Sequence, residues 1–111
     1  MRIKTGVDLR GLSPIWGVAF PLIQQIFASF HYDCIVTSAN DGMHGPHSLH
    51  YKGKALDLRT KHLQMMDKAT IIDTIRESLG AQFDVVFEDA GLANEHLHCE
   101  FDPKETGASE V

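Results

Sequence analysis

Two short segments that combine histidine with carboxylate side chains constrain the fold of this chain more than any other feature. The first contains His50 and Asp57, and the second contains His96 and His98. Gly53 lies between His50 and Asp57 and allows the backbone to turn, which brings those two side chains together. If the second segment is a strand, His96, His98 and Glu100 share one face, because strand side chains alternate with a period of two. A fold that packs the two segments side by side would gather a set of metal-binding side chains.

The residue types of these segments are typical of a catalytic zinc site. Two histidines and one carboxylate leave one coordination position open for water, whereas a structural zinc site favours four ligands rich in cysteine. The chain has two cysteines, Cys34 and Cys99, which form no short-range pair, and we expect both to be reduced and buried rather than joined in a disulfide. Asp57 lies in the apolar segment Ala55–Leu58, where a buried carboxylate is costly without a partner. A metal ion would supply that partner, and the alternative is an exposed Asp57 on an edge strand.

The remaining histidines receive no ligand role from spacing alone. The chain has seven histidines, and a single histidine is more often a surface or hydrogen-bonded residue than a metal ligand. We assign that ordinary role to His31 and His62. We expect His44, His47 and His96 to lie near the cleft, and the sequence gives them no specific function.

Hydrophobic periodicity predicts one α+β domain over residues 1–111, built on a small, mainly antiparallel sheet with two main helices. Ser13 is the expected cap of the first helix and Pro14 its first residue, and Pro21 should kink or restart that helix. Gly80 is placed to end the second helix. The predicted elements are a helix continuing to residue 30, strands at 34–37 and 55–58, a helix at 63–79, strands at 83–87 and 96–101, and a frayed tail at 102–111.

Composition excludes several partners. The formal net charge is −5 and no run of Lys or Arg is present, which argues against binding to nucleic acid or to an anionic membrane surface. The longest apolar stretch, residues 15–30, is interrupted by Pro21 and two glutamines, so it does not predict a transmembrane helix. The N-terminal residues do not form the apolar region of a signal peptide. We therefore expect the protein to stay in the cytoplasm as synthesised, unless another component releases it.

Two motifs resemble those of a known enzyme family. The segment Ser48-Leu49-His50-Tyr51-Lys52-Gly53-Lys54-Ala55-Leu56-Asp57 matches S-x-H-x-x-G-x-A-x-D, and Glu95-His96-Leu97-His98 matches E-x-x-H. In this order they resemble the zinc D-Ala-D-Ala carboxypeptidases and dipeptidases, a family that includes phage endolysins cutting L-Ala-D-Glu bonds and shares its fold with Hedgehog signalling domains. The first motif is specific, and the second would be weak by itself.

The resemblance implies a role for each matching residue. His50, Asp57 and His98 would bind Zn²⁺, and Glu95 would be the catalytic base that takes a proton from the zinc-bound water. Structural roles would fall to Ser48, Gly53 and Ala55. If the last strand extended through Glu95, alternation would turn its side chain away from the face of His98. Glu88 and Asp89 are therefore alternative candidates for the base.

The implied function is hydrolysis of peptide bonds in bacterial peptidoglycan stem peptides, by a carboxypeptidase or an endopeptidase. A phage-encoded lysis enzyme that reaches the cell wall after release would be one form of such a protein. The chain departs from the family in one respect, because the segment Thr37–Gly42 lacks the arginine that many members use to stabilise substrate. His44, His47 and His96 are the candidates for that donor. The alternatives are a catalytically inactive, zinc-stabilised binding or morphogenesis module and a structural domain without metal.

Overall fold

The computed structural model describes residues 2–39 and 53–103. The elements in chain order are β1 (Arg2–Ile3), α1 (Trp16–Ser29), β2 (Ile35–Ser38), β3 (Ala55–Arg59), α2 (Met65–Leu79), β4 (Phe83–Glu88) and β5 (His96–Phe101). The predicted α+β class is confirmed, and the strands and helices lie within a few residues of the predicted bounds.

The described strands form one mixed sheet in the order β1-β2-β3-β5-β4. β1 pairs with β2 in parallel, and the other three pairings are antiparallel. The sequence analysis missed β1, because two exposed residues carry no periodic pattern from which a strand can be predicted. The prediction of a mainly antiparallel sheet is confirmed, and β1 makes the sheet a mixed one.

One face of the sheet packs against the two helices and forms the core. Leu56 and Leu58 of β3 and Leu97 and Cys99 of β5 are at most 1% exposed, and they join the helix side chains in one hydrophobic cluster. Because strand side chains alternate, the intervening residues must lie on the opposite face. Polar side chains of the strands can therefore occupy that second face.

The start of α1 differs from the prediction, whereas α2 ends at Leu79 with Gly80 at its C-cap, as predicted. α1 begins at Trp16 with Ile15 at the N-cap, so the prediction that Ser13 caps a helix starting at Pro14 is wrong. The Ser13 carbonyl instead accepts a hydrogen bond from Trp16 N in a turn that precedes the helix. α1 is a single element that contains Pro21, and it does not restart there. In the described part of the chain, no helix combines the length and the apolar character needed to cross a membrane.

The two cysteines are buried and free, as predicted. Cys99 lies on β5, and Cys34 immediately precedes β2. Burial raises the pKa of the Cys34 thiol to about 12, and it raises the pKa of Cys99 as well. Both thiols therefore remain protonated at neutral pH and pack as small apolar groups.

The turn before β3 depends on a close approach between two backbone segments. Gly53 has a φ of +69°, and a Cβ atom at this position would overlap the carbonyl of Gly11. The Gly53 carbonyl accepts hydrogen bonds from Ser13 N at 2.8 Å and from the Trp16 indole at 3.1 Å. These contacts fix the entry of β3, in which Ala55 is fully buried.

Replacement of Gly53 by alanine should lower the free energy of unfolding by two effects. One is the strain of a left-handed backbone conformation, and the other is the overlap of the new Cβ atom with the Gly11 carbonyl. The Gly6→Ala variant is the matched control, because Gly6 also has a positive φ (+93°) but has open space around its Cβ position. We expect a loss of about 1 kcal/mol for Gly6→Ala and about 3 kcal/mol for Gly53→Ala in urea unfolding. Equal losses in the two variants would contradict the close approach.

Candidate metal and catalytic site

The ligand candidates Asp57 and His98 face each other across neighbouring strands. The antiparallel register of β3 and β5 pairs Asp57 directly with His98. Their neighbours Leu56 and Leu97 point into the core, so Asp57 and His98 lie on the sheet face opposite the helices. The side chains of Asp57 and His98 are 15% and 17% exposed, respectively, so both are largely shielded from water.

The His98 imidazole bridges two carboxylates. Its Nδ1 lies 2.8 Å from Oδ1 of Asp57, and its Nε2 lies 2.7 Å from Oε1 of Glu100. The hydrogen bond with Asp57 raises the pKa of His98 to about 9 against the lowering effect of burial, and Glu100 acts in the same direction as Asp57. Without a metal ion, the ring is therefore protonated at neutral pH and donates both N–H groups.

This arrangement fits the donor preferences of zinc. Glu100 holds a proton on Nε2 of His98, so deprotonation at Nδ1 leaves a nitrogen lone pair beside the Asp57 carboxylate. Asp57 and His98 would hold a metal ion only after the hydrogen bond between Nδ1 and Oδ1 has opened. Asp57 and His98 would thus offer one oxygen and one nitrogen to a metal ion, and Glu100 would contact the other ring nitrogen of His98.

A second histidine on the same face stands close to Asp57. His96 donates from Nδ1 to the Asn94 carbonyl at 2.7 Å, and its Nε2 lies 2.8 Å from Oε1 of Glu88. The same Nε2 is 3.9 Å from Oδ1 of Asp57. Burial lowers the pKa of His96, but the Asn94 carbonyl, Asp57 and Glu88 outweigh it and raise the pKa above the ordinary value. His96 is thus paired with Glu88 and lies close to Asp57. It also lines the cavity beside Asp57, as expected for a residue near the cleft.

Glu95, the base candidate, is engaged by three hydrogen-bond donors. Oε2 accepts from the Thr60 hydroxyl at 2.5 Å and from Lys68 Nζ at 2.9 Å, and Oε1 accepts from Gly91 N at 2.9 Å. Burial raises the pKa of Glu95, but these donors together lower it to about 2. Because Lys68 belongs to α2, the carboxylate is turned toward the helix layer. In this position the Glu95 carboxylate is a weak base, and its contact with Lys68 holds the start of β5 against α2.

The two alternative base candidates lie at the other end of the β4–β5 connection. Glu88 is the last residue of β4 and pairs with His96 across the sheet, and its side chain is 45% exposed. Asp89 has a φ of +55° and accepts a hydrogen bond from the Asn94 amide at 2.9 Å. Asp89 therefore stabilises the turn, while Glu88 stands on the site face next to His96.

A cavity of about 220 Å³ opens beside Asp57. Residues from the first turn of the chain, from β2 and β3, and from the start of β5 line it: Lys4, Thr37, Asp57, Arg59, Lys61, Ala93, Asn94, Glu95 and His96. Its volume suits a small group rather than a whole peptide. The ligand candidate Asp57 and three basic residues, Lys4, Arg59 and Lys61, therefore line the same cavity.

Part of the predicted site lies outside the described residues. This part comprises the third zinc-ligand candidate and its neighbours in the first motif, namely His44, His47, Ser48 and His50. Of the histidines assigned ordinary roles, His31 is exposed, and His62 lies with Nε2 2.7 Å from the Asp33 carbonyl. Those two histidines are not part of the Asp57–His98 face.

Three carboxylates lie close together where β4 begins and β5 ends. Asp84, Glu100 and Asp102 each offer an oxygen within 4.8 Å of the others. Exposed acidic groups often gather without an ion, and carboxylates alone do not form the nitrogen-containing set that zinc prefers. This cluster is not evidence for a zinc site, and Glu100 is already engaged with His98.

The sequence did not indicate the contacts of three residues on the site face. It indicated Glu88 only as an alternative base and Glu100 only as a neighbour of His98 on one strand face, and it indicated no role for Arg59. The period of two was the available signal, because Arg59 follows Asp57 by two residues in β3 and must share its face. The partner of each residue depends on strand register, which the sequence pattern does not determine.

Comparisons with protein-family models and with curated proteins found no significant match to this chain. The resemblance to zinc peptidases therefore depends on the two sequence motifs alone.

Loss of the Glu95 charge should weaken the fold in a pH-dependent way. Glu95→Gln removes the ion pair with Lys68, so we expect a loss of about 2 kcal/mol at neutral pH. Since the folded pKa is lowered, the stabilisation is complete above about 4.5 and is lost as the pH falls toward about 2. Urea unfolding from pH 7 to pH 2 checks this, with the exposed Glu77→Gln as control. A difference between wild type and Glu95→Gln that stays constant down to pH 2 would contradict the assignment.

Proposed function

We propose that this protein is a zinc-dependent peptidase that hydrolyses peptide bonds in bacterial peptidoglycan stem peptides. The observation that carries the proposal is the Asp57–His98 pair on the site face, with Glu100 behind the histidine. The motif that contains Asp57 and the motif that contains His98 are the two that resemble this family of enzymes. The strand register brings the two motifs together, as a shared metal site requires.

The zinc ligands would be Asp57, His98 and His50, the last of which lies outside the described residues. Three protein ligands leave a fourth position for water or substrate. A bound zinc ion supplies Lewis acidity to the scissile carbonyl and makes hydroxide available near neutral pH. Glu100 would hold the tautomer of His98, since its carboxylate contacts Nε2.

The base that accepts a proton during hydrolysis would come from one of two carboxylates. The resemblance assigns this role to Glu95, which also contributes to the cavity beside Asp57. The contacts of Glu95 with Lys68, Thr60 and Gly91 would have to loosen before its carboxylate could act as a base. Among the described residues the carboxylate of Glu88 contacts His96 alone, and Nε2 of His96 also lies 3.9 Å from Oδ1 of Asp57. The geometry therefore favours Glu88 with His96 as the pair that handles the proton.

The second candidate function is a zinc-stabilised binding or morphogenesis module without catalysis. One observation favours it: the carboxylate of Glu95 is bound in an ion pair on the helix side. The segment Thr37–Gly42 also lacks the arginine that many family members use. Such a module would keep the metal site and would cleave no peptide.

Zinc content and peptidoglycan cleavage should be lost together when a ligand is removed. We expect one zinc per chain in the wild type and loss of both zinc and cleavage in Asp57→Ala, His98→Ala and His50→Ala. Elemental analysis gives the metal content, and release of new amino groups from purified peptidoglycan gives cleavage. His31→Asn is the matched control, because His31 is exposed and asparagine tolerates its positive φ of 67°.

The same assays separate the candidate functions and the candidate bases. Zinc without cleavage in the wild type would support the binding module, and absence of zinc would refute both. Glu88→Gln and Glu95→Gln should each retain zinc. A fall in cleavage of about 100-fold or more in Glu88→Gln, with a smaller fall in folded Glu95→Gln, would identify Glu88 as the base. The reverse order would assign the role to Glu95.

A further inference from the structure

β4 lies at one end of the sheet that the described strands form, with β5 as its neighbour. In an antiparallel strand, the backbone N–H and C=O groups of successive residues alternate between the two sides of the strand. Asp102 N donates to the Gln82 carbonyl, so every second residue from Asp102 back along β5 directs its backbone groups to β4. The β4 partners of those residues are Asp84, Val86 and Glu88. The residues whose backbone groups point to the outer edge of β4 are therefore Phe83, Val85 and Phe87.

The side chain of Arg76 covers the middle of this outer edge. Its Nε donates to the Val85 carbonyl at 3.0 Å, and its Nη1 lies 3.2 Å from Oδ1 of Asp73 on the same helix. Ile72, Arg76 and Phe87 are among the side chains that line a cavity of about 290 Å³ between α2 and β4. The guanidinium group thus connects the helix to the strand at the point where a further strand would have to bond.

A second copy of β4 complements the outer edge when the two strands run antiparallel about a two-fold axis at Val85. Phe83 then lies opposite Phe87 of the second copy, and Asp84 lies opposite Val86. The side chains of Phe83 and Phe87 are only partly buried in the single chain, and Val86 is 44% exposed. Pairing of two β4 strands would therefore remove apolar surface from water.

The acidic residues of β4 disfavour the neighbouring registers. A two-fold axis at Asp84 would place that carboxylate opposite its own copy, and an axis at Val86 would place Asp84 opposite Glu88. Like charges directly opposite each other destabilise a strand pair. The axis at Val85 keeps the carboxylates apart and sets the Val85 carbonyl against the Val85 amide of the second copy. That carbonyl is the group to which Arg76 donates.

We propose that Arg76 caps the outer edge of β4 and so prevents the chain from forming a dimer by pairing of two β4 strands. Native proteins often protect the edge of a sheet from strand addition with charged side chains. The hydrogen bond between Arg76 and the Val85 carbonyl has a charged donor, and it must open in both copies before the strands can bond. The ligand candidates Asp57 and His98 lie on other strands, so the cap acts independently of the proposed peptidase activity.

Removal of the cap should make the chain dimerise. Sedimentation equilibrium should show that Arg76→Ala associates about 100-fold more tightly than the wild type, because each of the two lost caps contributes about tenfold. Arg76→Met, which keeps an apolar stem but has no donor, should behave in the same way and replaces the alanine variant if that variant is unstable. Asp73→Asn is the matched control, because it removes the carboxylate partner of Arg76 and leaves the donor to Val85. Association of both Arg76 variants at the wild-type level would overturn the cap.

Two further measurements identify the interface of the dimer. The amides of Val85 and Phe87 should exchange hydrogen more slowly in the Arg76→Ala dimer than in the wild type, while the Val86 amide, which faces β5, should not change. In the Arg76→Ala background, Val86→Lys should tighten the dimer and Val86→Glu should weaken it, each by about threefold or more, because position 86 lies opposite Asp84 of the second copy. Equal effects of the two Val86 substitutions, or unchanged exchange at Val85 and Phe87, would refute the pairing of two β4 strands.

Discussion

The pairing of β3 with β5 is the constraint on which both the core and the site depend. It sets Leu56 against Cys99 and Leu58 against Leu97 on the helix side, and Asp57 against His98 on the other side. A shift of one residue would bury the two polar side chains and expose the apolar ones. Burial of the leucines therefore fixes the register that brings the two halves of the proposed metal site together.

Two carboxylate systems of this sheet have different partners, although Asp57 and Glu95 both contribute to the lining of one cavity. On the helix side Glu95, Lys68 and Thr60 tie the start of β5 to α2, and the lowered pKa of Glu95 reflects that anchoring. On the open side Asp57 shares His98 with Glu100, and the pKa of the ring is raised. From Glu95 to His98 the side chains alternate between the helix side and the open side of the sheet. Adjacent residues of this segment therefore have different partners.

The sequence predicted the class of the fold, and the structure brings its two ligand candidates Asp57 and His98 into contact. The prediction failed where local signals are weak or misleading. The periodic segments around Ile71 and Leu97 are strong because they bury apolar side chains at fixed intervals. The cap prediction at Ser13 failed because its backbone is used to hold the turn at Gly53, a contact between residues far apart in sequence. The engagement of Glu95 by Lys68 and the place of Arg59 follow from tertiary packing, and a single sequence carries no direct signal for either.

We propose that Asp57 and His98 hold a zinc ion and that Glu100 fixes the tautomer of His98. Histidine side-chain ¹⁵N NMR during zinc titration tests it most directly, because it resolves the two ring nitrogens. We predict that Nδ1 of His98 becomes the metal-bound nitrogen at one equivalent of zinc while Nε2 keeps its proton toward Glu100. Coordination through Nε2, or no change at His98 when zinc is added, would contradict the account.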